Sequence, residues 1–237
     1  IVVAAKTELA TGPIPTEIAR TRGVAQYDDL RSYLANHPGP FSVINCVCRQ
    51  SAELLGEACT TSSTHETCLM IGHVPGHARR LSRSELFEIL DRTEREGHVL
   101  QPQNSRHPSF VCCCCRDCCE ILRNARKLPR PADAIPTAHA AVVNAELCTG
   151  CRRCIRRCPM DAITVSDGVA TVDEGRCIGC GLCATTCPEG AIELRRRPHA
   201  PRTPRTNLMM YLRMYADRRG LLGLIPLAIR RIFGRPI

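Results

Sequence analysis

Two runs of cysteine in the C-terminal half of the chain have the same spacing, C-x2-C-x2-C-x3-C-P. Thiolates spaced three residues apart can surround one cluster of iron and sulfide, whereas the fourth cysteine, at the start of a short helix, points toward a second cluster. We therefore predict two 4Fe-4S clusters whose fourth ligands are exchanged between the runs. The first cluster takes Cys148, Cys151, Cys154 and Cys187, and the second takes Cys177, Cys180, Cys183 and Cys158.

The competing interpretation of these cysteines is a pair of zinc sites or a structural knot. Zinc modules usually present two C-x2-C pairs separated by a long insert, whereas here the triple spacing ends in C-P and occurs twice. The sequence contains no C-x-x-C-H, so covalently attached haem is excluded. Iron-sulfur clusters are the interpretation that the spacing favours.

The two runs belong to an internal repeat, because residues 146–165 match residues 175–194. Two copies of one unit predict pseudo-twofold symmetry. Over about residues 144–195 the chain resembles the bacterial two-cluster ferredoxins, and this resemblance implies an electron-carrying module with a ferredoxin-like fold.

The first run departs from that family because arginines stand where small residues are expected. They are Arg152, Arg153, Arg156 and Arg157. Cationic neighbours of an anionic cluster should raise its reduction potential, so we expect the first cluster to have a higher potential than the second. Gly150, Gly179 and Gly181 suit a backbone that bends close to a cluster and directs N–H groups at its sulfurs.

Ten further cysteines lie between residues 46 and 119. Eight are predicted to bind one or two additional iron-sulfur clusters: Cys46, Cys48, Cys59, Cys68, Cys112, Cys114, Cys115 and Cys118. In an extended strand, Cys112 and Cys114 would face one side and Cys113 and Cys115 the other. Cys113 and Cys119 are left unassigned, because eight cysteines are enough to bind two 4Fe-4S clusters.

Other roles for these cysteines stay open at this point, namely zinc ligands, buried thiols and vicinal disulfides. His65, His73 and His107 lie near the cysteines, although a solvated or hydrogen-bonded role is favoured for each.

The N-terminal region also looks like part of a family of poorly characterised ferredoxin-type proteins. In that family a C-x-C-R segment, two isolated cysteines and a C-x-C-C cluster precede a two-cluster module, and the resemblance covers roughly residues 41–195. It includes Cys46, Cys48, Arg49, Cys59, Cys68, Cys112, Cys114, Cys115 and Cys118. The resemblance implies additional clusters on an electron path without defining a reaction. The C-C-G signature of heterodisulfide-reductase-type sites is absent, since Glu120 follows Cys119.

Composition supports a metal-stabilised protein in a reducing compartment. The chain has 18 cysteines, 3% aromatic residues and no tryptophan, so large rings supply little of its core. No secretory signal and no apolar run of about 18 residues are recognised. A cytoplasmic location is therefore predicted, where thiols more often bind metal than form disulfides.

The sequence predicts an α+β protein with five segments. They are an N-terminal lead and helix (1–40), a Cys-rich α/β region (41–128), a Pro-containing linker (129–143), the ferredoxin-like module (144–195) and an Arg-rich helical tail (196–237). A short helix is expected around residues 27–35. A second helix should begin at the capping box of Ser82 and Glu85 and end at Gly97.

The tail carries the net charge of +9, because residues 195–237 contain eleven arginines and one acidic residue. Two amphipathic stretches are expected, around residues 207–219 and 221–233. In the first, apolar side chains could share one helical face: Leu208, Met209, Leu212 and Tyr215. We expect residues 196–237 to dock onto other redox protein subunits, with peripheral contact to a membrane surface as the alternative.

These features favour an iron-sulfur electron-transfer subunit that relays electrons one at a time between partner redox proteins in a multi-subunit oxidoreductase. No catalytic residue and no activity of the chain alone are predicted, because nucleotide-binding, flavin-binding and nucleophile motifs are absent. One alternative is an oxidoreductase with a catalytic cluster in the N-terminal region, suggested by the surplus thiols and Asp117. A redox- or iron-responsive nucleic-acid-binding protein is the other, and the lack of aromatics between the tail arginines disfavours it.

Overall fold

The computed structural model describes residues 24–62 and 64–219. Predictions for residues 1–23 and 220–237, including the second amphipathic stretch, lie outside the described residues. The first half contains α1 (Tyr27–Asn36), β1 (Phe41–Asn45), α2 (Val47–Leu54), β2 (Glu66–Ile71), β3 (Arg79–Leu81), α3 (Arg83–Glu96), β4 (Val99–Pro102), β5 (Phe110–Cys114) and α4 (Glu120–Lys127). The second half contains α5 (Pro131–Ala134), β6 (His139–Val143), α6 (Arg153–Arg157), β7 (Ile163–Ser166), β8 (Val169–Val172), α7 (Leu182–Thr185), β9 (Ile192–Arg196) and α8 (Asn207–Arg219). The protein is therefore a mixed α and β structure, as the sequence predicted.

An antiparallel sheet of order β3-β1-β2-β5-β4 organises the first half. Successive side chains of a strand point to opposite faces. One face contributes Val43, Leu69 and Val111 to the apolar core, which α1 and α3 also enter. On the other face, Cys68 of β2 lies directly opposite Cys112 of β5. The sheet thus separates an apolar core from a sulfur-bearing face.

The two helices predicted in this half are confirmed. In α3, the Ser82 hydroxyl accepts a hydrogen bond from the Glu85 N–H and the Glu85 carboxylate accepts one from the Ser82 N–H. The helix stops at Gly97, whose φ of 81° favours glycine. The α1 helix buries Leu30 and Leu34 in the core.

Two small antiparallel sheets, β6-β9 and β7-β8, organise the second half. Asp167 and Gly168 connect β7 to β8 and both have positive φ, which suits a two-residue hairpin turn. Residues 139–143, which the sequence placed in the linker, form β6 and pair with β9. The linker's last proline, Pro136, precedes this strand, so no missing N–H interrupts the pairing.

One core of buried residues runs through both halves, and a smaller buried cluster contains Ala52, Cys115 and Cys118. Arg176 of the second half donates hydrogen bonds to the carbonyls of Met160, Leu128 and Arg126 at 2.9, 3.2 and 3.0 Å. Arg157 donates to the Arg95 carbonyl at 2.7 Å, at the end of α3. The N-terminal cysteines and the two C-terminal runs are therefore held in one packed body.

Residues 207–219 of the tail form the helix α8. Met210 is buried, whereas Leu208, Met209, Tyr211 and Leu212 are between 40% and 58% exposed. An apolar surface is therefore left outside the packed body. Among the described residues, no helix is both long and apolar enough to cross a membrane.

Candidate metal centres

The first predicted cluster set lines one cavity. Its members are Cys148, Cys151, Cys154 and Cys187. Gly150 in this loop has a φ of 64°, and a Cβ there would lie 2.6 Å from the Gly168 carbonyl oxygen. The loop can therefore pack against the β7-β8 turn only with glycine at this position. The Ala170 N–H donates to the Cys148 sulfur at 3.4 Å.

The second predicted set lines a separate cavity with apolar walls. Its members are Cys158, Cys177, Cys180 and Cys183. The Ala162 N–H donates to the Cys158 sulfur at 3.3 Å, and the Ala141 N–H donates to the Cys177 sulfur at 3.4 Å. Backbone donors thus already point at two of the four sulfurs, as expected around an anionic cluster.

Burial in the second cavity disfavours free thiolates. It raises the pKa of Cys183 to about 12 and raises the pKa of Cys180 well above its ordinary value. A metal cation must therefore compensate for the charge when these cysteines ionise.

Neither C-terminal set of cysteines forms a compact single-ion site. A cubane holds its four cysteine sulfurs about 6 Å apart, because each sulfur binds a different iron. Within the described part of the chain, only one group of three or more potential ligands has all its ligating atoms within 4.8 Å, and it contains none of these eight cysteines. The two cavities therefore suit 4Fe-4S clusters better than single ions.

The arginines of the first run occupy different surroundings. Arg152 and Arg153 are exposed and line the first cavity. Arg157 instead binds the carbonyls of Glu94 and Arg95. Two arginines therefore lie at the first cavity, and a third binds the C-terminal end of α3.

Six of the ten N-terminal cysteines form a connected group, named here the six-thiol group. Its members are Cys46, Cys48, Cys68, Cys112, Cys114 and Cys119. The sulfurs of Cys68 and Cys112 lie 3.6 Å apart across the paired strands. Cys46 is the N-cap of α2 and Cys119 is the N-cap of α4. Two helix N-termini, which favour negative charge, therefore begin at this group.

Cys119, set aside as surplus on the sequence, has a lowered thiol pKa, whereas the pKa values of Cys46, Cys48 and Cys114 are raised. Hydrogen bonds from Cys114 and Cys48 lower its pKa to about 5. The same contacts raise the pKa of Cys48 to about 12, since a proton is retained there to be donated. Its position immediately before α4 is the sequence signal that could have identified Cys119.

Cys113 lies on the opposite face of β5 from Cys112 and Cys114, as the alternation predicted. It is buried in the apolar core near Tyr27 and Thr93, and this burial raises its pKa to about 12. Cys115, expected on the same face as Cys113, lies elsewhere because β5 ends at Cys114 and the chain then turns.

A second N-terminal group, named here the Cys3Asp group, contains the three predicted cysteine ligands that lie outside the six-thiol group. Its members are Cys59, Cys115, Asp117 and Cys118, and their ligating atoms all lie within 4.8 Å of one another. Burial opposes ionisation of Asp117, but hydrogen bonds from Cys115 and Thr60 bring its pKa below the usual range.

The three histidines near the cysteines lie outside both groups. His65 contacts Glu53 at 3.1 Å, His73 contacts the Ile71 carbonyl at 3.3 Å, and His107 is exposed. Each has the solvated or polar surroundings that the sequence favoured.

Comparison with known proteins agrees with the C-terminal geometry. Residues 141–194 match the family model described as a 4Fe-4S dicluster domain. A protein described as a "Probable ferredoxin" from Methanosarcina thermophila is 57% identical over 35 residues, which are 14% of this chain. The match spans 60% of the length of that relative. The N-terminal region lies outside the residues matched by the family model.

Proposed function

We propose that this protein relays electrons one at a time between partner redox proteins. The premise is that residues 141–194 are a ferredoxin-type module with two 4Fe-4S clusters. Each cluster, when bound, accepts and releases a single electron. The observation that carries the proposal is the pair of cavities, each lined by four cysteines. The chain's own contribution is to hold the sulfurs, donate N–H groups to them and exclude water.

The crossed ligand sets are part of this proposal. Support comes from the membership of each cavity, since Cys187 joins the three leading cysteines of the other run, and so does Cys158. The substitution Cys158→Ser should therefore perturb the same electron paramagnetic resonance signal as Cys177→Ser. If it instead perturbs the signal altered by Cys154→Ser, the crossed sets are wrong.

We further propose that the six-thiol group binds an additional iron-sulfur cluster on the same electron path. The group has more sulfurs than one cubane requires, and two helix N-termini meet it. The surplus of thiols also favours the alternative of a catalytic cluster at this group, which binding of a small-molecule ligand to the reduced protein would reveal.

The attachment of the protein to its partners is proposed to use residues 196–237. Support comes from the exposed apolar side chains of α8, which are Leu208, Met209, Tyr211 and Leu212. Their arginine-rich surroundings also suit an anionic membrane surface, which is the alternative. A cytoplasmic location and membership in a multi-subunit oxidoreductase belong to the same proposal.

The test is iron and acid-labile sulfide per chain on anaerobically purified full-length protein, combined with a reductive titration followed by electron paramagnetic resonance. Two clusters require about eight irons, and a third raises the number to about twelve. Cys113→Ser is the matched control, since the Cys113 side chain is buried on the opposite face of β5 from Cys112 and Cys114, and it should leave iron unchanged. Fewer than about eight irons, or signals that do not recover on reoxidation, would refute electron relay.

A further inference from the structure

The Cys3Asp group connects two segments that are distant in sequence. Cys59 lies in the loop after α2, whereas Cys115, Asp117 and Cys118 lie in the turn between β5 and α4. Cys115 and Cys118 have C-x2-C spacing, which places two thiols on one tight turn. The loop and the turn thus supply three sulfurs and one carboxylate to a common point.

The distances within this group match a single tetrahedral ion. The Cys59 sulfur lies 3.7 Å from the Cys115 sulfur and 3.6 Å from Asp117 Oδ1. With metal–sulfur bonds of about 2.3 Å and a metal–oxygen bond of about 2.1 Å, a tetrahedron separates two sulfurs by about 3.8 Å and a sulfur from an oxygen by about 3.6 Å. The sulfurs of Cys68 and Cys112 in the six-thiol group are equally close. Among the described residues, however, only the Cys3Asp group brings three or more ligating atoms all within 4.8 Å of one another.

The carboxylate of Asp117 is oriented by its neighbours. The Thr60 N–H and hydroxyl donate to Oδ2 at 2.7 and 2.8 Å. The Cys118 N–H donates to Oδ1 at 3.1 Å. These bonds hold Oδ1 toward the sulfurs, as outer hydrogen bonds do for a metal-binding carboxylate.

A buried cation lies beside the group. Arg49 is only 1% exposed, and its guanidinium interacts with Cys115. Its Nε and Nη2 have no hydrogen-bond partner in the described part of the chain. A buried guanidinium needs negative charge nearby, and neutral thiols would not supply it. Three thiolates, one carboxylate and one divalent cation carry a net charge of −2, which Arg49 offsets in part.

We propose that Cys59, Cys115, Asp117 and Cys118 bind one zinc ion in a closed, structural site that joins the loop after α2 to the turn before α4. All four positions of the tetrahedron are filled by the chain, so no coordination position is open for a substrate. This inference does not rest on electron relay, and it leaves the six-thiol group as the place for an additional cluster.

The experiment measures zinc and iron per chain in full-length protein purified anaerobically and dialysed against a chelator. We expect one zinc per chain in the wild-type protein. Cys59→Ser should lose most of the zinc and retain all of the iron, and Cys113→Ser, the matched control, should retain both metals. A loss of about four irons in Cys59→Ser would mean that the group holds a cluster, and the proposal would be wrong.

X-ray absorption at the zinc edge of the wild-type protein decides the question even if the Cys59→Ser chain fails to fold. We expect three sulfur neighbours at about 2.3 Å and one oxygen neighbour at about 2.1 Å. Asp117→Asn should alter the oxygen shell and leave the three sulfurs in place. Absence of zinc, or a first shell with fewer than three sulfurs, would overturn the assignment.

Discussion

The arginines of the first cysteine run make different contacts, so their effects on reduction potential should differ. Arg152 and Arg153 line the first cavity, while Arg157 binds the carbonyls that end α3. The positive charge of Arg157 is partly neutralised by the negative end of the α3 helix dipole. The double substitution Arg152→Gln and Arg153→Gln should therefore lower the potential of the first cluster more than Arg157→Gln does.

The expected size follows from Coulomb's law. Arg152 and Arg153 are exposed. At a separation of about 7 Å and an effective dielectric constant of about 40, one charge shifts a one-electron potential by roughly 50 mV. The double variant should thus lower the first potential by about 50 to 100 mV at low salt. Because salt screens exposed charges, the shift should fall by at least half at about 0.5 M salt.

The assay is a potentiometric titration in which electron paramagnetic resonance follows each cluster separately. The second cluster serves as the internal reference, since its cavity contains none of these arginines. Arg157→Gln should change the potential of the first cluster by less than half as much as the double variant does. It should also reduce the stability of the protein, because two hydrogen bonds to α3 are lost. Equal shifts from the two variants, or no shift from the double variant, would refute the reasoning.

Three other perturbations test the packing around the centres. Gly179→Ala should release the iron of the second cavity, because its Cβ would overlap the His139 carbonyl, and iron analysis of purified protein checks this. Burial lowers the pKa of His98 to about 3 although its Nε2 lies 3.4 Å from Glu96 Oε2. The folded state therefore stays neutral at His98 while the unfolded state gains a proton below about pH 6.5, so stability is lost as pH falls. Between about pH 7.5 and 5.5, the free energy of unfolding of the wild-type protein should fall by about 1.4 kcal/mol more than that of His98→Gln. Urea unfolding measures both, and equal losses in the two proteins would contradict this. Ser82→Ala should destabilise the protein by about 1 kcal/mol through loss of the capping box, with Ser82→Asp as the variant that preserves it.

The spacing of cysteines in the two C-terminal runs was enough to predict the dicluster module. Spacings of three residues act locally, because a short loop can bring successive sulfurs around one centre whatever the rest of the fold does. The helix that begins at Ser82 was predictable for a similar reason, since its capping box and its terminal Gly97 act within a few residues. The strand at residues 139–143 was not, because its pairing partner lies about 50 residues further along the chain.

The division of the ten N-terminal cysteines was decided by tertiary structure alone. Pairing of β2 with β5 places Cys68 opposite Cys112, and no local pattern specifies that register. The end of β5 at Cys114 releases Cys115 into the turn, where it meets Cys59 from a loop more than 50 residues earlier. Sequence alone therefore predicted that these cysteines bind metal, whereas long-range strand pairing determined which thiols lie together.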